Sequence, residues 1–182
     1  MGDTSGREWT ADRFARLGRI RQESVDYAKA RGAAYFVCDC DNFVESGALA
    51  KLMAVRHAGV VAPFMRTKDR MYSNFHFKVD KDGYYCGAST PQYTEVWAMK
   101  FKGLIECAVV HCAYLISHEF LDRVVYVDGT GRYEYVIFSD ALRKAGVPQY
   151  LDNRRVYGAI TFAETEGDLA AELPYIRPLI LP

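Results

Sequence analysis

The sequence predicts an α/β domain with a mixed, mainly parallel central sheet and flanking helices. Apolar residues recur at helical spacing over residues 10–31 and then run continuously over residues 33–38. A second continuous apolar run, VVAPFM at residues 60–65, is typical of a strand buried on both faces. A helix between these two runs would make a βαβ unit, which is the repeating element of parallel sheets.

The helix over residues 10–31 is indicated by its ends as well as by its period. Thr10 is a favourable N-cap, and Gly32 can end the helix. A second helix is expected to begin after Ser46 and to end at Gly59. The apolar positions of the first helix that should face the core are Phe14, Leu17, Ile20, Val25 and Ala28.

The second half of the chain predicts further strands and one more helix. The apolar run at residues 104–116 is too long for one regular strand, so we expect a bend near His111. The other expected elements are a hairpin whose arms are residues 71–79 and 84–89, a helix at residues 133–146 and a strand at residues 147–153.

The composition is typical of one domain with its own core. The chain has 182 residues, of which half are apolar. We therefore assign residues 1–182 to a single domain. Residues 1–8 and 164–182 are expected to be extended tails, because the last segment is polar and then rich in proline.

Charge and cysteine content limit the function classes. The 23 basic and 23 acidic residues cancel, so nucleic acid is not an expected partner. An apolar run of about 18 residues is absent from the sequence, so no membrane span is expected. The first ten residues lack the apolar stretch of a secretory signal, and the five cysteines are an odd number. Both features favour a reduced, cytoplasmic protein.

Cys38 and Cys40 raise the question of a zinc site. Zinc sites usually combine C-x2-C pairs with each other or with histidines, and this sequence has no C-x2-C pair. We therefore interpret both residues as small core residues of the strand that contains them.

Asp39 and Asp41 follow the first apolar strand in the segment YFVCDCDNFV. Two carboxylates at positions i and i+2 of a strand project to the same side. Mg²⁺ and Mn²⁺ are commonly held by one or two carboxylates together with phosphate oxygens and water, so a metal site is one interpretation. Asp and Asn are also favoured where a strand turns into a loop, which is the other interpretation.

Six segments of the sequence resemble, in order, those of the collagen β-galactosyltransferase family, which is related to the glycosyltransferase and accessory modules of lysyl hydroxylases. The resemblance implies a GT-A-type, Rossmann-like glycosyltransferase fold and transfer of a sugar, galactose, from a UDP-sugar to a hydroxyl acceptor with Mn²⁺ (or Mg²⁺). The segments are EWTADRFARLGRIRQESVDYAKARGAAYFVCDCDNFV, GVVAPFM, MYSNFHF, DGYYCGASTPQY, VVHCAYLI and VPQYLDNRRVYGAI.

The resemblance also implies site residues. Asp39 and Asp41 would be ligands of the metal and the diphosphate, and Asn42 would support their loop. Ser73 and Asn74 would lie near the cleft that takes the donor or the acceptor.

Transfer in the family inverts the anomeric centre, which requires a general base for the acceptor hydroxyl. The family has an Asp-Asp pair where this sequence has Tyr133 and Glu134, so Glu134 would be the catalytic base. Alternatively, Glu134 is an acid in the first turn of a helix, where the helix dipole favours a negative charge.

Three further sets of residues have two interpretations each. His111 is either a core residue or a ligand, and the core role is favoured because no partner stands at ligand spacing. Trp97, Tyr84, Tyr85 and Tyr93 could form a platform for a sugar or could pack in the core. Possible third metal ligands in the C-terminal third are Asp152, Glu164, Glu166 and Asp168.

The family has a further N-terminal strand–helix–strand unit, so the resemblance implies a fold truncated at the N-terminus, which a partner chain or a second copy could complete. Two functions follow as hypotheses: a metal-dependent glycosyltransferase, or a non-catalytic accessory or binding module of the same fold. The family resemblance also implies the secretory pathway, against the cytoplasmic location that the missing signal and the odd cysteine count favour.

Overall fold

Helices and strands form at most of the predicted positions. The computed structural model describes residues 10–86 and 90–181. Its helices are α1 (Ala11–Ala30), α2 (Ala48–Met53), α3 (Pro91–Trp97), α4 (Glu134–Lys144) and α5 (Glu166–Ile180). Its strands are β1 (Tyr35–Cys38), β2 (Asn42–Val44), β3 (Val60–Pro63), β4 (Met65–Arg66), β5 (Phe75–His76), β6 (Lys78–Val79), β7 (Tyr85–Cys86), β8 (Leu104–Cys107), β9 (Val109–Val110), β10 (Ala113–Ile116), β11 (Gln149–Asp152) and β12 (Gly158–Ile160).

Helix α1 begins where its sequence predicts, and its buried face includes Val25 and Ala28 as expected but differs at other positions. The Thr10 hydroxyl accepts a hydrogen bond from the backbone N–H of Arg13 and so caps the helix. Ile20, which was expected in the core, is 53% exposed. The residues that α1 buries are Gly18, Arg21, Val25 and Ala28.

The main sheet has five strands in the order β1-β10-β3-β11-β8. The α/β class and the mixed sheet are confirmed, but the expectation that parallel pairs predominate is wrong. Only β3 and β11 pair in parallel within this sheet; its other three pairs are antiparallel. The reason is that β10 lies between β1 and β3, so the two strands of the expected βαβ unit do not pair with each other.

The long apolar run at residues 104–116 bends as predicted. It divides into β8, β9 and β10, and Cys112 has a positive φ of 63° immediately before β10. The reversal at this residue lets β10 enter the main sheet while β9 pairs with β5. The bend therefore sets Cys112 and its neighbour His111 at the end of β1.

A second sheet places β12 between β2 and β4. A Cβ atom at Gly158 would lie 2.0 Å from the carbonyl oxygen of Phe43, so only glycine allows this close pairing of β12 with β2. The second sheet brings the end of β12 next to the loop after β1, because the N–H of Thr161 donates to the carbonyl oxygen of Asp41 at 3.0 Å.

The expectation of an extended tail at residues 164–182 is wrong, because most of this segment forms α5. A capping box between Thr165 and Asp168 starts the helix, and this signal outweighs Pro174 and Pro178, which lie inside it. The helix is anchored by the fully buried Ile176. The other expected tail, residues 1–8, lies outside the described residues.

Candidate functional site

A cavity of about 420 Å³ lies where the end of β1 meets α1, the first turn of α4 and the end of β12. Its position at the carboxyl end of an early strand is where open α/β sheets bind ligands. The lining residues are Phe14, Leu17, Arg21, Asp39, Asp41, Tyr72, Tyr85, His111, Cys112, Tyr133, Glu134, Tyr135, Ile160 and Phe162.

The loop after β1 holds both aspartates at this cavity. The N–H of Asp39 donates to the carbonyl oxygen of Cys112 at 2.9 Å, and the N–H of Asn42 donates to the carbonyl oxygen of Asp39 at 3.1 Å. Asp39 and Asp41 therefore lie in a turn rather than on the strand itself, yet both side chains line the same cavity. The side chain of Asp39 is 35% exposed, and Asp41 is an exposed residue.

Arg21 is a member of the site that the sequence reasoning missed. Its Nη2 lies 2.6 Å from Oδ1 of Asp39, and its Nη1 lies 2.8 Å from Oε1 of Glu134. One guanidinium therefore joins the predicted metal ligand to the predicted base. Arg21 lies four residues before Val25 and seven before Ala28, so it shares the buried face of α1. This helical spacing is the sequence feature from which its burial could have been predicted.

Gly18 allows α1 to come close enough for this bridge. A Cβ atom at Gly18 would lie 3.0 Å from the carbonyl oxygen of Tyr126 and 3.3 Å from Cβ of Glu134. Because Gly18 and Arg21 are one turn apart on the same face, the contact at Gly18 sets the reach of the Arg21 side chain.

Glu134 is the first residue of α4, and its side chain is only 5% exposed. Oε1 accepts the hydrogen bond from Arg21, whereas Oε2 is buried and has no partner among the described residues. Glu134 is thus an acid in the first turn of a helix, and it also lines the cavity; its role as the catalytic base stays a prediction.

The acids of the cavity are shifted towards their neutral forms. Burial raises the pKa of Asp39 and of Glu134, and Arg21 only partly opposes this. Burial also raises the pKa of Asp41, and the nearby charge of Asp39 raises it further. The positive charge of Arg21 alone is therefore not enough to keep the pKa values of these three carboxyl groups at their usual level.

His111 and Cys112 form the floor of the cavity. Nδ1 of His111 lies 2.8 Å from the Cys112 sulfur, and Nε2 is buried without a partner among the described residues. Burial lowers the pKa of His111 to about 3, so the ring is neutral at pH 7, and burial raises the pKa of the Cys112 thiol. His111 is thus buried, as the core interpretation predicts, and it also lines the cavity.

The structure does not bring Ser73 and Asn74 to the cavity. Both are fully buried, and neither is among the residues that line it. The Ser73 hydroxyl donates to the carbonyl oxygen of Met65 at 2.6 Å, and the Asn74 amide donates to those of Pro63 and Ala113 at 2.8 and 3.2 Å. These bonds tie β3, β4 and β10 together, so we expect no direct contact of Ser73 or Asn74 with a ligand in this conformation.

Asn42 also stays out of the cavity lining. Its side-chain oxygen and nitrogen are buried and have no partner among the described residues, while its backbone N–H closes the turn after Asp39. A role in supporting the aspartate loop, which was predicted from the resemblance, therefore involves its backbone here.

Of the four aromatic residues considered for a sugar platform, only Tyr85 lines the cavity. Its ring stacks on His76 with centroids 3.7 Å apart. Tyr93 is buried in the core, and the Trp97 indole donates to the carbonyl oxygen of Tyr72 at 3.4 Å. Further aromatic walls come from residues that the sequence reasoning did not single out, namely Phe14, Tyr72, Tyr133, Tyr135 and Phe162.

All five cysteines are free thiols, and Cys38 and Cys40 are exposed. Their interpretation as small core residues is therefore wrong. Cys38 is the last residue of the edge strand β1 and Cys40 is in the turn after it, so neither side chain is covered by a neighbouring element.

Within residues 10–86 and 90–181, no group of three or more His, Cys, Asp or Glu side chains is arranged to hold a metal. A cation would therefore have to be held by Asp39 and Asp41 together with oxygens of a ligand and of water, which is how proteins often bind Mg²⁺. The four residues considered as third ligands, Asp152, Glu164, Glu166 and Asp168, are not among those that line the cavity. The carboxylate of Asp152 is bonded to Arg154 and Tyr157, and that of Asp168 to Thr165.

None of the described helices is both long enough and apolar enough to cross a membrane.

Comparison with known proteins identifies the family. The family model for glycosyltransferase family 25, N-terminal domain, matches residues 1–172. The chain is 28% identical to procollagen galactosyltransferase 2 of Homo sapiens over 160 residues, which are 84% of this chain and 25% of that protein. It is 30% identical to procollagen galactosyltransferase 1 of Danio rerio over 166 residues, which are 86% of this chain and 27% of that protein.

A third relative is named as an inactive member of the family. The chain is 29% identical to the inactive glycosyltransferase 25 family member 3 of Mus musculus, over 84% of this chain and 26% of that protein. The chain thus spans about a quarter of the length of these curated relatives. Its mixed sheets and flanking helices agree with a GT-A-like domain, and since the family model covers nearly all of it, the chain belongs to glycosyltransferase family 25, the family of the collagen galactosyltransferases.

Proposed function

We propose that this chain transfers a sugar, galactose, from a UDP-sugar to a hydroxyl acceptor in the cavity at the end of β1. The observation that carries the proposal is the convergence of Asp39, Asp41 and Glu134 on one cavity, in a chain of glycosyltransferase family 25. Two of these acids are close in sequence and the third comes from a distant helix, so their meeting is a property of the fold.

Asp39 and Asp41 are the residues that would hold Mn²⁺ or Mg²⁺. Their carboxylates are hard oxygen donors at one cavity, and Asp41 is exposed to an incoming ligand. When bound, the cation would neutralise negative charge on the diphosphate of the donor. Asp39 keeps only one oxygen outside its hydrogen bond with Arg21, so it can offer a single oxygen while that bond is intact.

Glu134 is proposed as the general base. Burial raises its pKa from the usual value of a carboxyl group, which moves it towards neutral pH and makes the carboxylate a better proton acceptor. Oε2 is buried and has no partner among the described residues, so it is the oxygen that would take the proton once the acceptor hydroxyl lies against it, while Arg21 fixes Oε1 and so orients the group. The acceptor hydroxyl then attacks the anomeric carbon from the face opposite the departing UDP, which inverts that centre.

Titration calorimetry with UDP and Mn²⁺ tests the proposal. We expect binding to the wild-type chain and at least about tenfold weaker binding, equal to 1.4 kcal/mol or more, for Asp41→Asn. The matched control is Asp122→Asn, which neutralises an aspartate that is 92% exposed outside the cavity and should bind like wild type. Absence of heat at millimolar ligand, in a chain shown by circular dichroism to be folded, would contradict the proposal.

A non-catalytic accessory or binding module is the second candidate. The observation that favours it is the ion pair between Arg21 and Asp39, because a guanidinium already occupies one oxygen of the proposed cation ligand. Release of UDP from UDP-galactose with a range of hydroxyl acceptors separates the two candidates. Turnover that Asp41→Asn abolishes would exclude the module, whereas ligand binding without turnover would favour it.

A partner chain or a second copy that extends the main sheet remains part of the proposal. β1 is an edge strand of the five-stranded sheet, and Ile20 and Tyr27 on the adjacent helix α1 are exposed. Exposed edges and apolar side chains favour association. Light scattering that gives the mass of a monomer at micromolar concentration would count against it.

A further inference from the structure

We propose that Arg21 is a positioning residue that holds Glu134 for catalysis and, at the same time, weakens the binding of a divalent cation at Asp39. This inference rests on the proposed function, since it concerns the same cation site and the same base. It assigns to one buried side chain two effects of opposite sign, one on cation affinity and one on sugar transfer.

The geometry gives Arg21 little freedom. Its side chain is 5% exposed, and each of its two terminal nitrogens is committed to a different carboxylate, at 2.6 and 2.8 Å. The close packing at Gly18 fixes the helix that carries it. Arg21 therefore cannot move into solvent when a cation arrives, and its charge remains beside Asp39.

The count of charges gives the sign of the effect. With all three acids ionised, Asp39, Asp41 and Glu134 carry three negative charges, and Arg21 carries one positive charge, so the net charge is two negative. A divalent cation brings this set to neutrality. Without Arg21, the same cation would meet three uncompensated carboxylates and would lose its repulsion by the guanidinium, so it would bind more tightly, by a factor on the order of ten.

The effect on Glu134 has the opposite consequence. Glu134 has one oxygen that accepts from Arg21 and one buried oxygen without a partner among the described residues, so the bond from Arg21 fixes the orientation of the carboxylate. Without that bond, the carboxylate loses both its orientation and its compensating charge. Sugar transfer should therefore become slower in the same variant in which the cation binds more tightly.

The experiment measures Mn²⁺ affinity by calorimetry or by electron paramagnetic resonance on the whole chain with saturating UDP, because the cation needs oxygens of a ligand besides those of Asp39 and Asp41. We expect Arg21→Gln to bind Mn²⁺ about tenfold more tightly than wild type. Arg19→Gln is the matched control, because it removes the same charge from an exposed position two residues away on α1 and should stay within about twofold of wild type. Glu134→Gln should bind more weakly than wild type, because it removes one of the three negative charges while the positive charge of Arg21 stays beside Asp39.

A second variant keeps the test decisive if Arg21→Gln does not fold. Arg21→Gln combined with Glu134→Gln removes both charges of the buried pair, and it should bind Mn²⁺ more tightly than Glu134→Gln alone. Equal affinities in wild type, Arg21→Gln and Arg19→Gln would overturn the role of Arg21 and leave the proposed function intact. Failure of both wild type and the Arg21 variants to bind Mn²⁺ would overturn the cation site itself, and the inference with it. Binding by the Arg21 variants alone would support the inference most strongly.

Discussion

Asp39 and Asp152 stand at the ends of two strands of the same sheet, yet their surroundings are opposite. Asp152 is fully buried, and both of its oxygens are bonded: Arg154 donates to each of them at 2.9 and 2.6 Å, and the Tyr157 hydroxyl donates at 2.7 Å. Asp39 is partly exposed and shares a single arginine with Glu134.

The pKa values of the two groups reflect this difference. Burial alone would raise the pKa of Asp152, but the hydrogen bonds from Arg154 and Tyr157 outweigh it, so the pKa is lowered. At Asp39, burial outweighs the influence of Arg21, and the pKa is raised. Both oxygens of Asp152 are bonded within the fold, whereas Asp39 has an oxygen outside its bond with Arg21 that the proposed function assigns to a ligand.

The largest expected effect on stability is at Asp152, whose two oxygens are both bonded. Asp152→Ala removes every acceptor of a fully buried carboxylate and leaves the Tyr157 hydroxyl without its acceptor, so we expect the free energy of unfolding to fall by about 3 kcal/mol. Urea denaturation measures this. Asp41→Asn is the control from the cavity and should change stability by less than about 0.5 kcal/mol. Equal losses in the two variants would remove the distinction between structural and ligand-binding acids.

A second prediction extends the comparison to histidines. His57 is exposed and pairs with Glu119 at 2.7 Å, whereas both ring nitrogens of His76 are buried without a partner among the described residues. Burial lowers the pKa of His76 to about 4, so the folded state stays neutral while the unfolded state gains a proton below about pH 6.5. The unfolded state binds more protons between these values, so stability is lost as the pH falls from about 6.5 towards 4, at about 1.4 kcal/mol per pH unit.

His76→Phe should remove this loss while keeping the stacking on Tyr85. Between pH 7.5 and 5.5, the variant should lose about 1 kcal/mol less stability than wild type in urea denaturation. His111 contributes a loss in the same direction and remains in both proteins. The wild-type pH dependence in His76→Phe would show that His76 does not titrate between these two pH values.

The sequence predicts what depends on local pattern. Caps and apolar period gave α1 and α4, and the excessive length of residues 104–116 gave the bend that the structure has at Cys112. Pairing between distant strands is not a local property, so the insertion of β10 between β1 and β3 was missed. The polar and proline-rich composition of residues 164–182 predicts an extended tail, so helix α5, which a capping box starts, was missed.

The residues of the candidate site also differ in whether local sequence pattern could predict them. Asp39 and Asp41 were found because they are neighbours in sequence, and Glu134 was found through the family resemblance. Arg21 was missed because a charged residue in a helix is usually solvated, and its partner Glu134 is 113 residues away. Ser73 and Asn74 do not line the cavity, because their polar side chains bond to backbone groups of neighbouring strands, but the carbonyl oxygen of Asn74 accepts from the N–H of the lining residue His111.

The charge of Glu134 is expected to contribute little to stability. Glu134→Gln keeps an oxygen that can accept the hydrogen bond from Arg21 and removes a charge whose burial is unfavourable, so the free energy of unfolding should stay within about 1 kcal/mol of wild type. Sugar transfer, in contrast, should be lost, because an amide cannot take the proton of the acceptor. Urea denaturation and UDP release measure the two quantities on the same preparation. Glu134→Ala is the control for removal of the bond itself and should cost about 2 kcal/mol, since Arg21 then keeps Asp39 as its only carboxylate partner. A Glu134→Gln variant that loses as much stability as Asp152→Ala would place Glu134 with the structural acids, and the base would then have to be sought among the other residues of the cavity.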